Sequence, residues 1–207
     1  MGARDAKVVG NRLTDGDRYG FLTVGSRNTL AAGNTVSSST LQFIGICMDD
    51  EGGTQVSKNQ ISGYSIALCV QTSGANVHDN SVKNSCTGIF VDPGIDGAKI
   101  LDNIIAGTNP GCATPDAPFF VFGIFLDGAV NSLVRHNRIE GQTASGLING
   151  FAAAVIVFDE PTAVASGNLV TLNILRKSDL DLAILTTGTG NVFIGNRCTS
   201  VPTEPCT

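Results

Sequence analysis

Tryptophan is absent from this 207-residue sequence, and charged residues are few. They make up 15% of the chain against 42% hydrophobic residues, with a net charge of −5. That charge disfavours nucleic acid and anionic membranes as partners, because both are themselves negative. The apolar content is too high for a disordered chain and sufficient for a core. We therefore expect one folded domain over residues 1–207.

Long apolar runs are also missing. The longest lie within 118–126 and 152–158, well short of the roughly 18 residues that a membrane helix needs. Residues 1–7 contain no apolar segment of the signal-peptide type, so we expect no signal peptide within this chain. The six cysteines show no Cys-x-x-Cys spacing, which argues against a zinc knuckle. Their even number fits an exported protein about as well as a cytosolic one, and of the two we expect a secreted or extracellular protein.

Glycine and asparagine, by contrast, are abundant and recur at regular places. The pattern apolar-x-x-Asn-x-apolar occurs at Asn11, Asn34, Asn59, Asn80, Asn103, Asn137, Asn168 and Asn196. Between its copies runs a strand motif such as Gly88-Ile89-Phe90-Val91-Asp92. Short alternating strands in repeats of about 22 residues predict the coils of a parallel β-solenoid. We expect each Asn to occupy a left-handed turn residue, with its side-chain amide bonded to the next coil.

The Asn-x-Ile turn followed by Gly-Ile-x-Leu resembles the repeat of the pectin-lyase-like superfamily over residues 7–198. The resemblance implies an all-β fold: a right-handed parallel β-helix of about seven or eight coils with a tail at 199–207. It also implies a carbohydrate-active enzyme, namely a polysaccharide lyase, glycoside hydrolase or uronate epimerase. Of the motifs that such enzymes carry, Asp49-Asp50 alone has a counterpart here.

The N-terminal coil lacks the capping helix that such proteins usually have. We therefore expect that coil to be covered by a partner protein, by a second copy in a homo-oligomer, or by a segment that precedes the given sequence.

Alternation along the strand motif places every second side chain on the outer surface. Stacking the coils about 4.8 Å apart then predicts two outward columns. The first column contains the candidate catalytic residues and one thiol: Asp49, Cys69, Asp92, Asp127 and Asp159. The second column is apolar and contains Cys47, Ala67, Phe90, Phe125 and Ile156.

Carboxylates at this spacing repel each other, which raises one pKa and separates an acid from a base. That arrangement suits general acid–base catalysis or a glycosidase pair. It equally suits a bound calcium ion, and we expect no other metal or cofactor. A simpler interpretation is that Asp92 and Asp127 only begin turns, because Asp-Pro and Asp-Gly sequences do so.

Three longer repeats place their extra residues on one side of the coil, at 106–122, 140–153 and 171–180. Loops on one face of a solenoid usually wall its binding surface. The candidate substrate-binding residues are therefore Phe90, Phe119, Phe120, Phe125, Phe151 and Cys69.

An apolar pocket beside carboxylates favours a second function, an acid–base isomerase or cyclase acting on a small apolar molecule. A third possibility is a non-catalytic module for adhesion or assembly, with the apolar column packed against a partner. The lack of Trp weakens the polysaccharide interpretation, because sugar binding commonly uses broad aromatic platforms.

The sequence leaves the disulfide pairing open, but the repeat favours two pairs. Cys86 and Cys112 lie in successive loops of one wall, and Cys198 with Cys206 could fasten the tail over the last coil. Cys47 and Cys69 are one coil apart with an offset of two residues, which predicts a Cα separation of roughly 8 Å, beyond disulfide reach.

Overall fold

The computed structural model describes residues 2–114, 117–118, 120–144, 151–199 and 206. Strands dominate these residues, and the one helical segment among them is a 3₁₀ turn at Pro110–Cys112. Across the same residues, no helix has the length and apolar character of a membrane span.

The strands that the structure describes are listed here in chain order. They are β1 (Lys7–Val9), β2 (Arg12–Thr14), β3 (Tyr19–Val24), β4 (Leu30–Ala32), β5 (Thr35–Asp49), β6 (Gln55–Ser57), β7 (Gln60–Val70), β8 (Asn76–His78), β9 (Ser81–Ser85), β10 (Thr87–Val91), β11 (Lys99–Leu101), β12 (Ile104–Thr108), β13 (Ala113–Thr114), β14 (Ala117–Pro118), β15 (Val121–Asp127), β16 (Leu133–Arg135), β17 (Arg138–Glu140), β18 (Ala152–Phe158), β19 (Leu169–Thr171), β20 (Ile174–Arg176), β21 (Leu180–Leu185) and β22 (Val192–Ile194).

The coils stack into a parallel β-helix with three faces. Face A is a sheet of β1, β4, β6, β8, β11, β16, β19 and β22. The long strands β5 and β7 bend across two faces, so the first part of each lies on face B and the last part on face C. Face B otherwise contains β2, β9, β12, β17 and β20. Face C otherwise contains β3, β10, β15, β18 and β21. The eight strands of face A, one per described coil, confirm the predicted all-β architecture.

The core fills the inside of the three faces. Inward side chains pair in register from coil to coil, as Val77 does with Ile100 and then Val134 on face A. On face C, Leu68 pairs with Ile89 and then Ile124. All of these side chains are fully buried. Alternation of period two therefore directs one apolar set inward and leaves the intervening positions for the surface.

A ladder of asparagine side chains runs through the corner between faces A and B. The Oδ1 of each accepts hydrogen bonds from the backbone N–H and the Nδ2 of the preceding member, and the Nδ2–Oδ1 distances are 2.9–3.0 Å. Its members are Asn11, Asn34, Asn59, Asn80, Asn103, Asn137, Asn173 and Asn196. The predicted coil-to-coil amide bonding is confirmed.

Two details of the asparagine prediction are wrong. The left-handed residue of each corner is the one before the asparagine, for example Asp79 at φ 57° and His136 at φ 57°. The asparagine can then turn its side chain inward between two coils. Asn168 belongs to a different corner, where it bonds to Asn191, and Asn173 takes its expected place in the ladder.

The predicted inserts differ in how they appear. The first insert begins in β12 and ends in β15, and the described residues between these strands contain the 3₁₀ turn and the antiparallel pair β13–β14. Of the second insert, residues 145–150 lie outside the described residues. Residues 171–180 are not an insert, because they contain β20 of face B. The error follows from the misplaced Asn168, and the extra residues of that repeat lie between β18 and β19.

Both predicted disulfides are present. The Cα atoms of Cys86 and Cys112 are 5.4 Å apart, and those of Cys198 and Cys206 are 6.0 Å apart. The first bond ties the 3₁₀ turn of the 106–122 loop to the start of β10. The second holds Cys206 against the end of the core. Cys47 and Cys69 are free and buried.

We predict that replacing an inner ladder asparagine destabilises the fold more than replacing a terminal one. Asn103→Ala removes the acceptor of the buried Asn80 N–H and Nδ2, and it removes the Nδ2 that donates to the Val77 carbonyl and to the Asn137 Oδ1. Buried unpaired groups of this kind cost about 2–4 kcal/mol in all. The control Asn11→Ala removes one partly buried hydrogen bond of an exposed residue and should cost about 1 kcal/mol or less. Urea unfolding measures both, and equal losses would contradict the role of the ladder.

Candidate functional site

Two columns of outward side chains on face C form the framework of the candidate site. The register pairs Cys47 with Cys69, then Phe90, Phe125 and Ile156; we call this the aromatic column. The positions two residues further along hold Asp49, Gln71, Asp92, Asp127 and Phe158; we call this the acidic column. Phe90, Asp92, Phe125 and Asp127 are therefore placed as the sequence predicts.

The predicted place of Cys69 is wrong by two residues. It lies beside Cys47 in the aromatic column, while Gln71 occupies the place in the acidic column that was expected for Cys69. Ala67 was expected to point outward, but it is inside the core. Cys47 and Cys69 are thus direct neighbours, and the predicted offset between them does not exist.

A requirement for a small residue explains this register. The strand motif begins at a position where a Cβ atom would lie very close to the next coil. A Cβ on Gly88 would be 2.5 Å from the Gly123 carbonyl oxygen and 2.7 Å from a methyl group of Ile105. In β7 this position is filled by Ala67, not by Ser65. In β7 the strand motif therefore begins two residues later, at Ala67, than the sequence pattern predicts.

A cleft of about 230 Å³ opens over these columns. Its lining residues are Ser65, Ile66, Thr87, Phe90, Phe120, Phe125, Asp127, Phe158 and Glu160. Phe120 reaches the cleft from the loop that precedes β15. The Thr87 hydroxyl donates a hydrogen bond of 2.9 Å to the Phe120 carbonyl oxygen and so holds that loop against β10. Three of the aromatic residues expected from the sequence, Phe90, Phe120 and Phe125, therefore meet beside a carboxyl group.

The aromatic rings form a connected cluster around Phe125. Its ring centroid is 5.1 Å from that of Phe90, 6.0 Å from Phe120 and 6.2 Å from Phe158. Edge-to-face contacts of this kind fix the orientation of the rings. Phe120 is nevertheless 64% exposed, so one wall of the cleft faces solvent.

A second, smaller cavity of about 50 Å³ adjoins this cluster. Phe151 lines it together with Phe120, Phe122 and Phe158. Phe151 therefore extends the aromatic wall but does not line the larger cleft. Phe119, the remaining aromatic candidate, lies outside the described residues.

Asp127 is the buried carboxyl group of the cleft. It is 9% exposed, and its Oδ1 has no hydrogen-bond partner. Burial raises the pKa of Asp127 to about 6, with smaller contributions from the charges of Glu160 and Asp92. A carboxyl group with this pKa holds its proton part of the time near neutral pH and can act as an acid or a base.

Asp92 has a different environment one coil earlier. One of its oxygens accepts a hydrogen bond from the Gln71 amide, and the other is 3.8 Å from the Cys69 sulfur. Burial raises the pKa of Asp92, while these two hydrogen bonds act in the opposite direction. Asp92 therefore lies behind the cleft as a bonded carboxylate, in contrast to Asp127.

Cys69 belongs to the same buried network. A hydrogen bond with Cys47, burial and the charge of Asp92 all raise the pKa of the Cys69 thiol. The thiol is 2% exposed and does not line the cleft. A buried thiol with a raised pKa is a poor nucleophile.

Asp159 and Asp49 lie apart from the cleft. Asp159 is not the next member of the acidic column, because Phe158 pairs with Asp127. Its oxygens accept hydrogen bonds from Thr186, Thr187 and the Ala165 N–H, which together lower its pKa to about 2. Asp49 is exposed at the other end of the column. The geometry gives Asp159 a turn-forming place.

Sequence reasoning missed Glu160 and Phe158. Both line the cleft beside Asp127. The Oε2 of Glu160 accepts hydrogen bonds of 3.2 Å from the N–H and the hydroxyl of Thr162. The Asp159-Glu160 pair after β18 was a signal for a second carboxylate, but the predicted register placed Asp159 in the acidic column, where Phe158 lies.

The calcium site considered from the sequence finds no support in the geometry. Within the described residues, no three His, Cys, Asp or Glu side chains are grouped so that they could hold a metal ion. Asp92 and Asp127 are neighbours in the acidic column, but Gln71 takes the third place.

The family model for the right-handed β-helix region matches residues 1–162. The chain therefore belongs to the right-handed β-helix family, in agreement with the three-faced parallel coils. A comparison with curated proteins gives no match. Family membership defines the fold, while the chemistry depends on the residues of the cleft.

We predict that Asp127 makes the stability of the protein depend on pH. Folding raises the pKa of this carboxyl group above its unfolded value, so the folded state binds its proton more tightly between about pH 4 and pH 6. The free energy of unfolding should fall as the pH rises through this window. In Asp127→Asn, the decrease in the free energy of unfolding across this pH window should be smaller, by about 2 kcal/mol or less.

Urea unfolding at closely spaced pH values measures this effect. Asp17→Asn is the control, because Asp17 is exposed and contributes nothing to the pKa of Asp127 or Asp92, and it should leave the fall unchanged. An unaltered pH profile in Asp127→Asn would mean that Asp127 titrates like an exposed aspartate.

Proposed function

We propose that this protein is an acid–base enzyme, an isomerase or cyclase, acting on a small apolar molecule. The observation that supports this most strongly is the buried Asp127 carboxyl with an unpaired oxygen in an aromatic cleft. A cavity of about 230 Å³ suits a small ligand and not a long polymer. Apolar walls with a few polar groups are typical of small-molecule sites.

In the proposed mechanism, Asp127 is the acid. Burial holds a share of Asp127 in the protonated form near neutral pH, and no hydrogen bond occupies its Oδ1. The proton can therefore pass to a substrate carbon or oxygen in the cleft. Because apolar side chains surround Asp127, little water competes for that proton.

Glu160 is the base in this proposal. It lines the same cleft, and the bonds from Thr162 hold its carboxylate in position. When Asp127 protonates one carbon of a double bond, the positive charge falls on the other carbon of that bond. Glu160 then removes a proton from the next carbon along, and the double bond moves by one position. In a cyclase, a carbon–carbon bond forms between the two proton transfers. Water then returns the proton from Glu160 to Asp127, so no oxidant or reductant is needed.

A carbohydrate-active enzyme, as the family resemblance implies, is the second candidate. It is supported by the two carboxyl groups, Asp127 and Glu160, that line one cleft, since glycosidases use such a pair. The charges disfavour a uronate polymer as its substrate. No Lys or Arg is among the residues described as lining the cleft, so an anionic sugar would meet only carboxylates. A neutral glycan fits the second candidate better.

We also propose that the protein works in an oxidising compartment, outside the cytosol. The two disulfides support this, because such bonds persist mainly in secreted and extracellular proteins. The Cys86–Cys112 bond fastens the loop that carries Phe120, and oxidising conditions would thus preserve the cleft.

Proton exchange with solvent tests the proposed function. Small cyclic enones and terpene alkenes are incubated with the protein in heavy water, and mass spectrometry follows deuterium incorporation and product formation. We expect catalysed incorporation that falls about 100-fold or more in Asp127→Asn and in Glu160→Gln. Asp49→Asn, which is outside the cleft, should retain full activity.

The competing functions give different results. Release of reducing ends from a neutral glycan such as xylan, lost in the same two variants and without exchange on small molecules, would favour the glycosidase. If Asp127→Asn and Glu160→Gln alter only stability, while the intact protein acts on neither substrate class, the protein is a binding or assembly module.

A further inference from the structure

The candidate cleft combines aromatic faces with carboxylates and no balancing cation. Asp127 and Glu160 line it, and the charge of Asp92 acts on Asp127 from the preceding coil. Five ion pairs occur among the described residues, and none includes any of these three carboxyl groups. The negative charge of the cleft is therefore not neutralised by the protein itself.

The buried oxygen of Asp127 points to a ligand. It belongs to a side chain that is nine-tenths buried, and it has no partner in the protein. A buried polar atom without a partner is costly unless a bound group supplies the interaction. When Asp127 is ionised, an anion or a carbonyl oxygen cannot do so, whereas a hydrogen-bond donor or a positive charge can.

The rings around this oxygen favour the same kind of ligand. The faces of aromatic rings carry partial negative charge and attract cations placed over them. Phe90, Phe120 and Phe158 lie around Phe125, with Phe120 open to solvent on one side. Phenylalanine offers no hydrogen bond, so the cluster provides apolar contact and ring faces, and nothing that would select a neutral polar group.

We propose that the cleft selects positive charge on a small apolar skeleton. Alkylammonium ions should bind in it, as mimics of a substrate that becomes cationic when it is protonated. The inference rests on the same cleft as the proposed function and names its substrate class: an alkene or enone whose protonated form is a carbocation. The ring faces and Glu160 would stabilise that cation after Asp127 has given up its proton.

A matched pair of ligands tests this selection. Choline and its uncharged carbon isostere, in which a tert-butyl group replaces the trimethylammonium group, have nearly the same shape. Titration followed by NMR gives both affinities at about pH 7.5, where Asp127 is mostly ionised. We expect choline to bind about tenfold more tightly or better. At about pH 5 the preference should shrink several-fold, because Asp127 is then protonated.

Variants separate the contributions of ring and carboxylate. Phe120→Leu and Phe158→Leu retain apolar volume but remove a ring face, so each should weaken choline binding severalfold and leave the isostere nearly unchanged. Phe43→Leu is the control, since Phe43 is a partly exposed aromatic residue that does not line the cleft. Asp127→Asn should remove the pH dependence of the preference.

Each result bears on the inference. Equal affinity for the two ligands, tighter binding of the neutral one, or no binding of either overturns it. The result is independent of turnover, so it can be told apart from a failure of the proposed function. Choline preference without deuterium exchange would leave a cation-binding cleft that is not an acid–base enzyme. Deuterium exchange without a preference for choline would support the proposed acid–base enzyme and overturn the proposed cation selectivity.

Discussion

The in-register stacking of coils is the constraint on which the rest of this structure depends. Neighbouring strands are parallel and about 4.8 Å apart, so each residue of one coil lies directly above its counterpart in the next. The asparagine ladder enforces this register at one corner, because each amide must meet the next at hydrogen-bond distance. A shift of two residues in one coil would break the ladder and bring a larger side chain against a backbone carbonyl at the position of Gly88 or Gly123.

The candidate site is a consequence of that stacking. Residues far apart in sequence, such as Phe90 and Phe125, become neighbours because they occupy equal positions in successive coils. The same geometry forces Asp92 and Asp127 together, although like charges repel. The repulsion is relieved in two ways: Gln71 and Cys69 bond to Asp92, and Asp127 keeps its proton up to a higher pH than an exposed aspartate does. A structural repeat thus creates two carboxyl groups with different properties.

The sequence predicts the fold well because each coil repeats the same residue types at the same positions, and each type has its own physical role. The inward Ile and Val residues and all ladder asparagines but Asn173 could be inferred from spacing, and the repeat favoured the two disulfide pairs that form. The sites of failure are local. In β7, Ala67 takes the position that glycine fills in the neighbouring strands β5 and β10. The pattern therefore suggested Ser65 as the start of the motif and misplaced Cys69 by two residues. At the seventh corner Asn168 resembles a ladder residue, but Asn173 makes the bond.

The cleft was predictable only in part. Phe90, Phe125 and Asp127 follow from strand alternation, which depends on backbone geometry alone. Glu160 does not, because it follows β18 in a turn whose path no periodic pattern determines. Nor does the anchoring of Phe120 by Thr87, which joins two segments across the cleft. Loops over a solenoid are positioned by such individual contacts and not by the repeat.

The ionisation of Asp127 decides the central claim most directly, because both the acid role and the cation selectivity depend on it. Carbon-13 NMR of the aspartate carboxyl groups, assigned by comparison with Asp127→Asn, would follow its titration in the folded protein. The account predicts a pKa of about 6 for Asp127, and a lower value in Glu160→Gln, where one of the neighbouring charges is removed. A pKa near 4 in both proteins, as for an exposed aspartate, would contradict it and leave Asp127 as a residue that only begins a turn.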